Sequence, residues 1–465
     1  MKSRVCVIGG GLAGIAAASA LQSCGYQVVL LEARARLGGR AASFQDRDSG
    51  EWIDLCQHVS MGCCTNLSWL CQQAGIEDCF ARSRSIHFVD THGRVCSLSA
   101  NRFLPAPLHL LPALLRMRFL TLGDRISIGR AIVRLLRMSA KEAIAHTDMS
   151  AWLIASRQSP VAIRQFWEPV LVSALGDSLN RVSVSAARKV FADGFCSSPE
   201  AYELQIPSVP LSVVYGERLF NWLRGAGVAV ELGEAVKTVT QLPSGQLAVT
   251  SAQGATREFS AVVLAVPWWQ VASLFEATLV AKLPSLAGLS RLAPSPITGI
   301  HLWFDRPITD LPHAVLLNRL SQWLFSRPGA SGENSEYYYQ VVISGSHDLA
   351  TREKQIIIDE VVSDLQSAFP RAQQARLVRS KIVTEPHAVF TPNRESESLR
   401  PAQKTNVPSI FLAGDWTVTG WPATMEGAVR SGFLAAEEVA RQFQQPQKFL
   451  RPDLQKSGLA GLFIR

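Results

Sequence analysis

The hydrophobic pattern at the start of the chain predicts a strand, a glycine turn, a helix and a second strand in immediate succession. The short apolar run Val5–Ile8 is typical of a buried strand, and it leads directly into the glycine-rich turn over 9–14. An alanine-rich helix is predicted over 15–23, and a second apolar strand over 27–31. Two apolar strands joined through one helix indicate a βαβ unit with a parallel sheet.

The glycine spacing in this turn predicts a dinucleotide site. Gly9 permits the tight turn, Gly11 lets the backbone approach a pyrophosphate, and Gly14 lets the helix pack close to the strand. The second strand ends in Glu32, whose carboxylate is placed to accept hydrogen bonds from a ribose and disfavours a 2′-phosphate. The free N–H groups at the helix N-terminus favour phosphate. The expected phosphate contacts there are Leu12, Ala13 and Gly14.

A second glycine turn follows the acid and predicts a further contact with the pyrophosphate. Its last residue, Arg40, is permanently charged and can bind phosphate oxygens in a bidentate manner. The run E-A-R-A-R-L-G-G-R over 32–40 resembles the FAD-binding signature of the flavin amine oxidase and phytoene desaturase superfamily. The FAD contacts implied by this resemblance are Glu32, Ala33, Arg34, Gly38, Gly39 and Arg40.

The other end of the chain carries a second strand, turn and helix. An apolar strand predicted over 409–413 is followed by Gly414 and Asp415, and then by a helix. This arrangement resembles the second FAD motif of the same superfamily, in which the aspartate holds the ribityl chain or a phosphate. The helix there points its positive end at the flavin, which stabilises the anionic reduced form. The remaining FAD contacts implied by the resemblance are Gln57, His58, the backbone of Val236, Thr424, Met425 and Ala428.

These motifs predict an α/β protein (α+β overall) with a Rossmann-like FAD-binding domain of the flavin amine oxidase type and a discontinuous substrate or cap domain. The FAD domain is expected to comprise residues 1–80, 211–267 and 401–442. The substrate domain is expected to comprise a helix-rich segment, 81–210, and a second segment, 268–400. The basic tail 443–465 is expected either to lie on a membrane or to form a flexible end.

Composition narrows the classes of partner. The 465 residues suffice for two domains, and the net charge of +8 comes from 46 basic and 38 acidic residues. No basic cluster is interleaved with aromatic residues, so we do not expect a nucleic-acid partner. The nine cysteines show no metal-ligand spacing, so we expect reduced thiols and no metal site.

Membrane contact is expected to be peripheral. No apolar run reaches the roughly 18 residues of a membrane-spanning helix. The leucine-rich, basic segment 103–122 predicts either a helix that lies on a membrane or lines an apolar tunnel, or a buried amphipathic helix. We therefore expect a cytoplasmic protein that touches the inner face of the cytoplasmic membrane, where a basic surface is attracted to anionic lipids.

Candidate catalytic residues come from a stretch that follows the first FAD segment. The sequence over 52–59, W-I-D-L-C-Q-H-V, resembles the stretch that passes over the flavin ring in carotenoid desaturases. His58 is a candidate acid or base because its pKa lies near neutrality, and the alternative is that it only fixes the loop. Asp54 is expected to brace the loop, and Glu168 is a rival proton donor. The residues expected to wall a substrate tunnel, each with core packing as the alternative, are Phe166, Trp167, Trp268 and Trp421.

The whole chain resembles the squalene-associated FAD-dependent desaturases, or hydroxysqualene dehydroxylases. The stretches that carry this resemblance are Q-H-V-S-M-G-C-C-T-N over 57–66 and A-G-D-W-T-V-T-G-W-P-A-T-M-E-G-A-V-R-S-G over 413–432. The resemblance implies that reduced flavin converts hydroxysqualene, an apolar C30 isoprenoid, into squalene for hopanoid or sterol formation. The sequence does not identify the external electron donor. The alternatives are a carotenoid or phytoene-type desaturase, a flavin amine oxidase, and a prenyl-binding non-enzyme of the same fold.

Overall fold

The computed structural model describes residues 3–47, 49–327 and 336–464. The strands in that part of the chain are β1 (Arg4–Ile8), β2 (Gln27–Glu32), β3 (Ser43–Gln45), β4 (Trp52–Asp54), β5 (Ser60–Met61), β6 (Phe80–Ser83), β7 (Ser85–Val89), β8 (Val95–Ser99), β9 (Leu204–Pro207), β10 (Ala229–Leu232), β11 (Val236–Gln241), β12 (Leu247–Ser251), β13 (Thr256–Phe259), β14 (Ala261–Leu264), β15 (Pro294–Phe304), β16 (His313–Leu316), β17 (Trp323–Ser326), β18 (Tyr337–Ser344), β19 (Leu377–Phe390) and β20 (Ile410–Leu412). The α-helices are α1 (Leu12–Ser23), α2 (Thr65–Ala74), α3 (Leu111–Arg116), α4 (Leu122–Arg137), α5 (Ala140–Ala145), α6 (Met149–Ala155), α7 (Pro160–Ala162), α8 (Glu168–Leu175), α9 (Val184–Lys189), α10 (Leu219–Gly225), α11 (Trp268–Val271), α12 (Ala277–Val280), α13 (Lys354–Ala368), α14 (Ser396–Leu399), α15 (Met425–Gln442) and α16 (Ala460–Phe463).

A five-stranded parallel sheet forms the centre of the nucleotide-binding half. Its strand order is β10–β2–β1–β14–β20, so strands from the two ends of the chain lie in one sheet. The predicted βαβ unit is confirmed, although its helix begins at Leu12 rather than Ile15. Helices α1 and α15 lie so close that a Cβ on Gly432 would meet the Ala13 carbonyl oxygen at 2.2 Å. The parallel order brings the glycine turns after β1 and β20 to the same edge, where such sheets bind ligands.

A seven-stranded sheet forms the centre of the other half. Its strand order is β19–β15–β18–β17–β16–β7–β8, and β15 and β18 run antiparallel with His301 directly opposite Gln340. One face packs against α13 through alternate strand residues such as Ile300 and Leu302. The expectation of a helix-rich 81–210 segment was wrong for its start, because β7 and β8 form the edge of this sheet. Their apolar residues, including Phe88, pack against the helical core of the cap.

Two further expectations are corrected by the packing. Residues 268–292 fold as short helices against the nucleotide-binding sheet, because side chains such as Leu279 and Leu286 share one core with Val262 and Leu264. They therefore pack with the nucleotide-binding half rather than with the substrate half. The segment 103–122 is not one helix: it contains a 3-10 turn over Leu108–Leu110, the short helix α3 and, at its last residue, the start of α4, with loops before and between them.

The C-terminal tail is fixed across both halves and is not a flexible end. The backbone N–H of Arg451 donates to Asn66 Oδ1 at 2.8 Å, and that of Ser457 donates to the Ser197 carbonyl at 2.8 Å. Asp453 forms an ion pair with Arg430 of α15 at 2.7 Å. Among the described residues, no α-helix has the length and apolar character needed to cross a bilayer.

Candidate flavin and substrate site

The two glycine turns predicted to hold a pyrophosphate face each other. The Gly38 N–H donates to the Gly10 carbonyl at 2.9 Å, and Gly11 and Gly38 form an isolated parallel bridge that brings Gly39 close to Gly11. A Cβ on Gly14 would meet the Gly9 carbonyl oxygen at 1.9 Å, so a side chain there is excluded. A Cβ on Gly11 would have only the Gly39 Cα within reach, at 4.0 Å. The space above Gly11 is therefore open to a ligand, and the N-terminus of α1 favours an anion there.

Glu32 is fixed at the carboxyl end of β2. Its side chain is buried, and its two oxygens accept the Gly10 N–H at 2.6 Å and the Arg34 N–H at 2.8 Å. Each carboxylate oxygen retains a further lone pair for a ribose hydroxyl. The Glu234 N–H donates to the Glu32 carbonyl at 2.9 Å, and β11 begins two residues later, at Val236. The residue expected at the adenine thus lies near the residue expected at the ribose.

Arg40 and Asp415 join the two distant FAD motifs. The Arg40 guanidinium donates to Asp415 Oδ1 at 2.6 Å and to the Ala388 carbonyl at 2.8 Å. Asp415 follows Gly414, whose φ of +146° lies in a region that favours glycine. The Thr424 side chain accepts the Gly427 N–H at 3.1 Å and caps α15, which places Met425 and Ala428 in its first turn. The Arg40–Asp415 ion pair thus connects the motifs from the two ends of the chain directly.

Asp54 braces the loop that carries Gln57 and His58. It is fully buried, accepts hydrogen bonds from Ser43 Oγ at 2.6 Å and the Leu211 N–H at 2.9 Å, and pairs with Arg327. The carboxylate is fully engaged, which agrees with the structural role expected for it.

His58 is held as a neutral ring. Its Nδ1 donates to the Cys56 carbonyl at 2.9 Å, so in the neutral tautomer Nε2 carries the free lone pair. Burial lowers the pKa of His58 below its ordinary value, with the nearby Arg40 charge adding to the effect. A proton for transfer therefore has to be taken up at Nε2 before His58 can act as an acid.

The residues at this edge fit FAD. The Gln57 amide nitrogen is buried and has no hydrogen-bond partner among the described residues, so it is available to a bound group. The space above Gly11 matches a pyrophosphate, and Glu32 matches a ribose. Arg40 and Asp415 supply a cation for phosphate and an acceptor for a ribityl hydroxyl.

A polar pair on the seven-stranded sheet lies next to this loop and was not identified from the sequence. His301 Nδ1 and the Tyr338 hydroxyl are 2.8 Å apart, and burial raises the pKa of Tyr338 so that it keeps its proton. Burial lowers the pKa of His301 to about 3, and the charges of Arg327 and Lys381 add to that effect. Gln340 faces His301 across the strands. The sequence shows a histidine in a strand, but the partner strand's register is a property of the fold.

Glu168 forms no hydrogen bond or ion pair with the FAD motifs in the described part of the chain. It begins α8, directly after a π-helical turn over Ile163–Trp167, and its side chain is exposed. Partial loss of hydration raises its pKa, which Arg164 opposes. Within the described part of the chain, no hydrogen bond or ion pair connects Glu168 with residues of the FAD motifs.

The two cap aromatics expected to wall a tunnel are packed in a core instead. Trp167 is fully buried, and its Nε1–H donates to Gln158 Oε1 at 2.9 Å. Phe166 stacks on Phe191, with ring centroids 6.2 Å apart. Each ring is covered by other side chains, so the alternative of core packing describes both residues.

The other two aromatics also serve the fold. Trp268 packs edge-on against Trp269 at 4.4 Å in the core of the nucleotide-binding half, where the Arg40 guanidinium lies 5.8 Å from its ring. Trp421 is buried, and its Nε1–H donates to Asp453 Oδ1 of the tail at 3.1 Å. These contacts place Trp268 beside Arg40 and make Trp421 an anchor for the tail.

We expect the Arg40–Asp415 pair to contribute directly to FAD affinity. Arg40→Ala and Asp415→Ala should each weaken FAD binding about tenfold, because each removes a charged hydrogen-bonding group from the site. The double variant should lose less than the product of the two effects, since the residues touch. Fluorescence titration of cofactor-free protein measures this, with the exposed Arg47→Ala as a control. Wild-type affinity in Arg40→Ala would contradict the assignment.

Comparison with known sequences agrees with this site. The family model for flavin-containing amine oxidoreductases matches residues 12–440. The 15-cis-phytoene desaturase of Arabidopsis thaliana is 26% identical, over 95% of this chain and 80% of that protein. The hydroxysqualene dehydroxylase of Zymomonas mobilis is also 26% identical, over 93% of this chain and 97% of that protein.

Solved structures share the fold. Cyclohexylamine oxidase from Brevibacterium oxydans superposes with a TM-score of 0.70 at 19% identity, covering 96% of this chain and 100% of that one. Putrescine oxidase bound to putrescine gives a TM-score of 0.68 at 16% identity, covering 95% and 99%. The cofactor of this protein is FAD, and the predicted fold class is confirmed. The chain belongs to the flavin-containing amine oxidoreductase family and is a flavin-dependent oxidoreductase.

Proposed function

We propose that this flavoenzyme reduces hydroxysqualene to squalene in isoprenoid biosynthesis. The allylic hydroxyl takes up a proton, the carbon–oxygen bond breaks, water leaves, and a new carbon–hydrogen bond forms. When bound, reduced FAD supplies the hydride for that bond. The chain has to exclude water, hold the hydroxyl and provide the proton.

The observation that carries this proposal is the charge state of the groups next to the loop of His58. The buried carboxylate there, Asp54, is already neutralised by Arg327, while His301 is kept neutral with a pKa of about 3. Arg327 and Lys381 are paired with Asp54 and Asp46, so neither of these two carboxylates is free to balance a cationic amine. The site therefore favours a neutral substrate over an amine.

The neutral polar groups also favour an oxygen-bearing substrate over a hydrocarbon. Gln57, His301 and Gln340 each carry a buried side-chain atom without a partner among the described residues. With Gln57 assigned to FAD, a hydrocarbon such as phytoene would still leave His301 and Gln340 unpaired, at a cost in free energy. The phytoene-type desaturase remains the second candidate because several relatives carry that name.

His58 is proposed as the residue that holds the proton for the leaving water. Its imidazole is anchored through Nδ1, which leaves Nε2 to face a reacting group. Glu168 is the weaker candidate because no described contact connects it with the loop.

We further propose that the protein works at the inner face of the cytoplasmic membrane. The support is a set of exposed apolar side chains on neighbouring elements: Phe103 is 77% exposed, Leu122 62% and Leu462 78%. Helix α16 packs against α4, and the Leu459 N–H just before α16 donates to the Ala106 carbonyl of the loop that carries Phe103, so these side chains lie on connected elements of the cap. Arg102 lies over the Phe103 ring and Arg137 over the Phe463 ring, and such cations suit anionic lipid headgroups. An apolar C30 substrate would be taken from the bilayer.

Anaerobic spectroscopy tests the proposed reaction. The reduced holoenzyme is mixed with hydroxysqualene, and the oxidised holoenzyme is mixed with phytoene or squalene. We expect flavin reoxidation only in the first mixture, with squalene as the product by mass spectrometry. Flavin reduction by phytoene, with no reaction of hydroxysqualene, would assign a desaturase instead.

A further inference from the structure

A cavity of about 370 Å³ lies between helix α2, the small sheet β5–β9–β6 and the C-terminal tail. Small-molecule sites in proteins have volumes of roughly 300–1,000 Å³, so this cavity has room for a small organic ligand. None of the described residues that line it belongs to the FAD motifs or to the loop of Gln57 and His58. The cavity is therefore separate from the flavin site.

Two walls of the cavity are regular elements with their side chains on fixed faces. Trp69 and Gln72 are three residues apart on α2 and so are neighbours on its surface. Arg82 of β6 lies directly opposite Gln205 of β9, and Phe80 is two residues earlier on the same face of the sheet. The helix contributes a polar and aromatic wall, and the sheet contributes a cation, an amide and a second ring.

The third wall is the tail, which is held in place at the edge of the cavity. The Arg451 N–H donates to Asn66 Oδ1 at 2.8 Å, and Thr65 Oγ1 donates to the Pro452 carbonyl at 3.0 Å. The Arg451 guanidinium lies 3.7 Å from the centre of the Trp69 ring. Both the backbone and the side chain of Arg451 are therefore oriented before any ligand binds.

The polar groups of the lining favour an anion. Among the described residues, Arg82 and Arg451 form no ion pair, and Glu77 is the one acidic residue of the lining. Gln205 Oε1 accepts the Ser60 hydroxyl at 3.1 Å, while no described residue accepts a hydrogen bond from Gln205 Nε2. Two guanidinium groups and an amide N–H thus face the cavity with a single carboxylate to oppose them. Guanidinium groups bind carboxylate and phosphate oxygens in a bidentate manner.

We propose that this cavity binds a small organic oxyanion, a carboxylate or a phosphate monoester, that carries an apolar group. Arg82 and Arg451 bind the oxygens of the anion, and Phe80 and Leu454 contact the apolar group. The proposed reduction of hydroxysqualene does not require this ligand. The proposal therefore goes beyond that function and is tested without the isoprenoid substrate.

The test is isothermal titration calorimetry of the FAD-loaded protein with benzoate, phenyl phosphate and inorganic phosphate. Bound FAD keeps these anions from the phosphate positions of the flavin site. We expect saturable binding of benzoate or phenyl phosphate with a Kd of about 1 mM or tighter, and the tighter of the two identifies the class of oxyanion. Inorganic phosphate should bind more weakly because it has no apolar group to bury.

Two groups of variants test the assignment of the residues. Arg82→Ala and Arg451→Ala should each weaken binding about tenfold with unchanged flavin content, because each removes a charged hydrogen-bond donor. Glu77→Gln should tighten binding about threefold, because it removes the opposing charge at a solvent-exposed position.

Arg84→Ala is the matched control for the loss of one positive charge. Arg84 is also exposed, but it pairs with Glu203 at 2.7 Å and does not line the cavity. This variant should bind the anion as the wild-type protein does. Equal weakening in Arg84→Ala, Arg82→Ala and Arg451→Ala would reduce the effect to attraction by the net charge and overturn the proposal. No saturable binding of either organic anion, or wild-type affinity in both Arg82→Ala and Arg451→Ala, would also overturn it.

Discussion

Gly11→Val is expected to abolish FAD binding while the protein still folds. Gly11 has φ −75° and ψ 175°, which valine can adopt, and a Cβ there meets no described atom closer than 4.0 Å. The added side chain would fill the space between the two glycine turns, where the pyrophosphate has to pass. We expect a colourless protein with less than about one-hundredth of the wild-type FAD affinity, because the phosphate contacts at the helix N-terminus are blocked.

The matched control is Gly129→Val in α4, where a Cβ also meets no atom within 4 Å. That variant should bind FAD normally, apart from a small loss of stability from the β-branched side chain in a helix. Absorbance at the flavin bands measures cofactor content, and circular dichroism verifies folding. A folded Gly11→Val protein with full FAD content would refute the position of the pyrophosphate.

His58→Ala is expected to lower kcat about 100-fold with FAD still bound, since general acids contribute on that order. The lowered pKa of His58 also sets the pH dependence. The active form is protonated, so wild-type kcat should rise as the pH falls from 8 towards the lowered pKa of His58. The variant should lose this dependence.

The control for this variant is His92→Ala, because His92 lies in an exposed turn away from the loop. Single-turnover rates of the reduced enzyme across the pH range provide the measurement. Unchanged turnover in His58→Ala would mean that His58 only fixes the loop, and Glu168 would then be the candidate proton donor.

The nucleotide half was predictable because its signals are local. The glycine turn, the helix and Glu32 lie within one βαβ unit, and the backbone geometry demanded by each glycine is a property of that short segment. The C-terminal motif could be assigned for the same reason. The parallel order of the strands brings this motif to the same edge of the sheet as the first one, where Asp415 pairs with Arg40.

The substrate half was less predictable because its chemistry comes from long-range pairing. His301 and Gln340 lie on separate strands, and only the strand register places them opposite each other. For the aromatic residues Trp167 and Trp268, the sequence does not distinguish a tunnel wall from a packed core, because a bulky apolar ring suits both. Their burial was decided by neighbours far away in the chain.

The most direct test of the central claim is a single anaerobic turnover in D2O with the reduced holoenzyme and hydroxysqualene. The transferable hydrogen of the reduced cofactor exchanges with solvent, whereas carbon-bound hydrogens of the substrate do not. The proposed reaction predicts squalene that carries one deuterium, with one equivalent of flavin oxidised. Recovery of unlabelled hydroxysqualene with the flavin still reduced would contradict it.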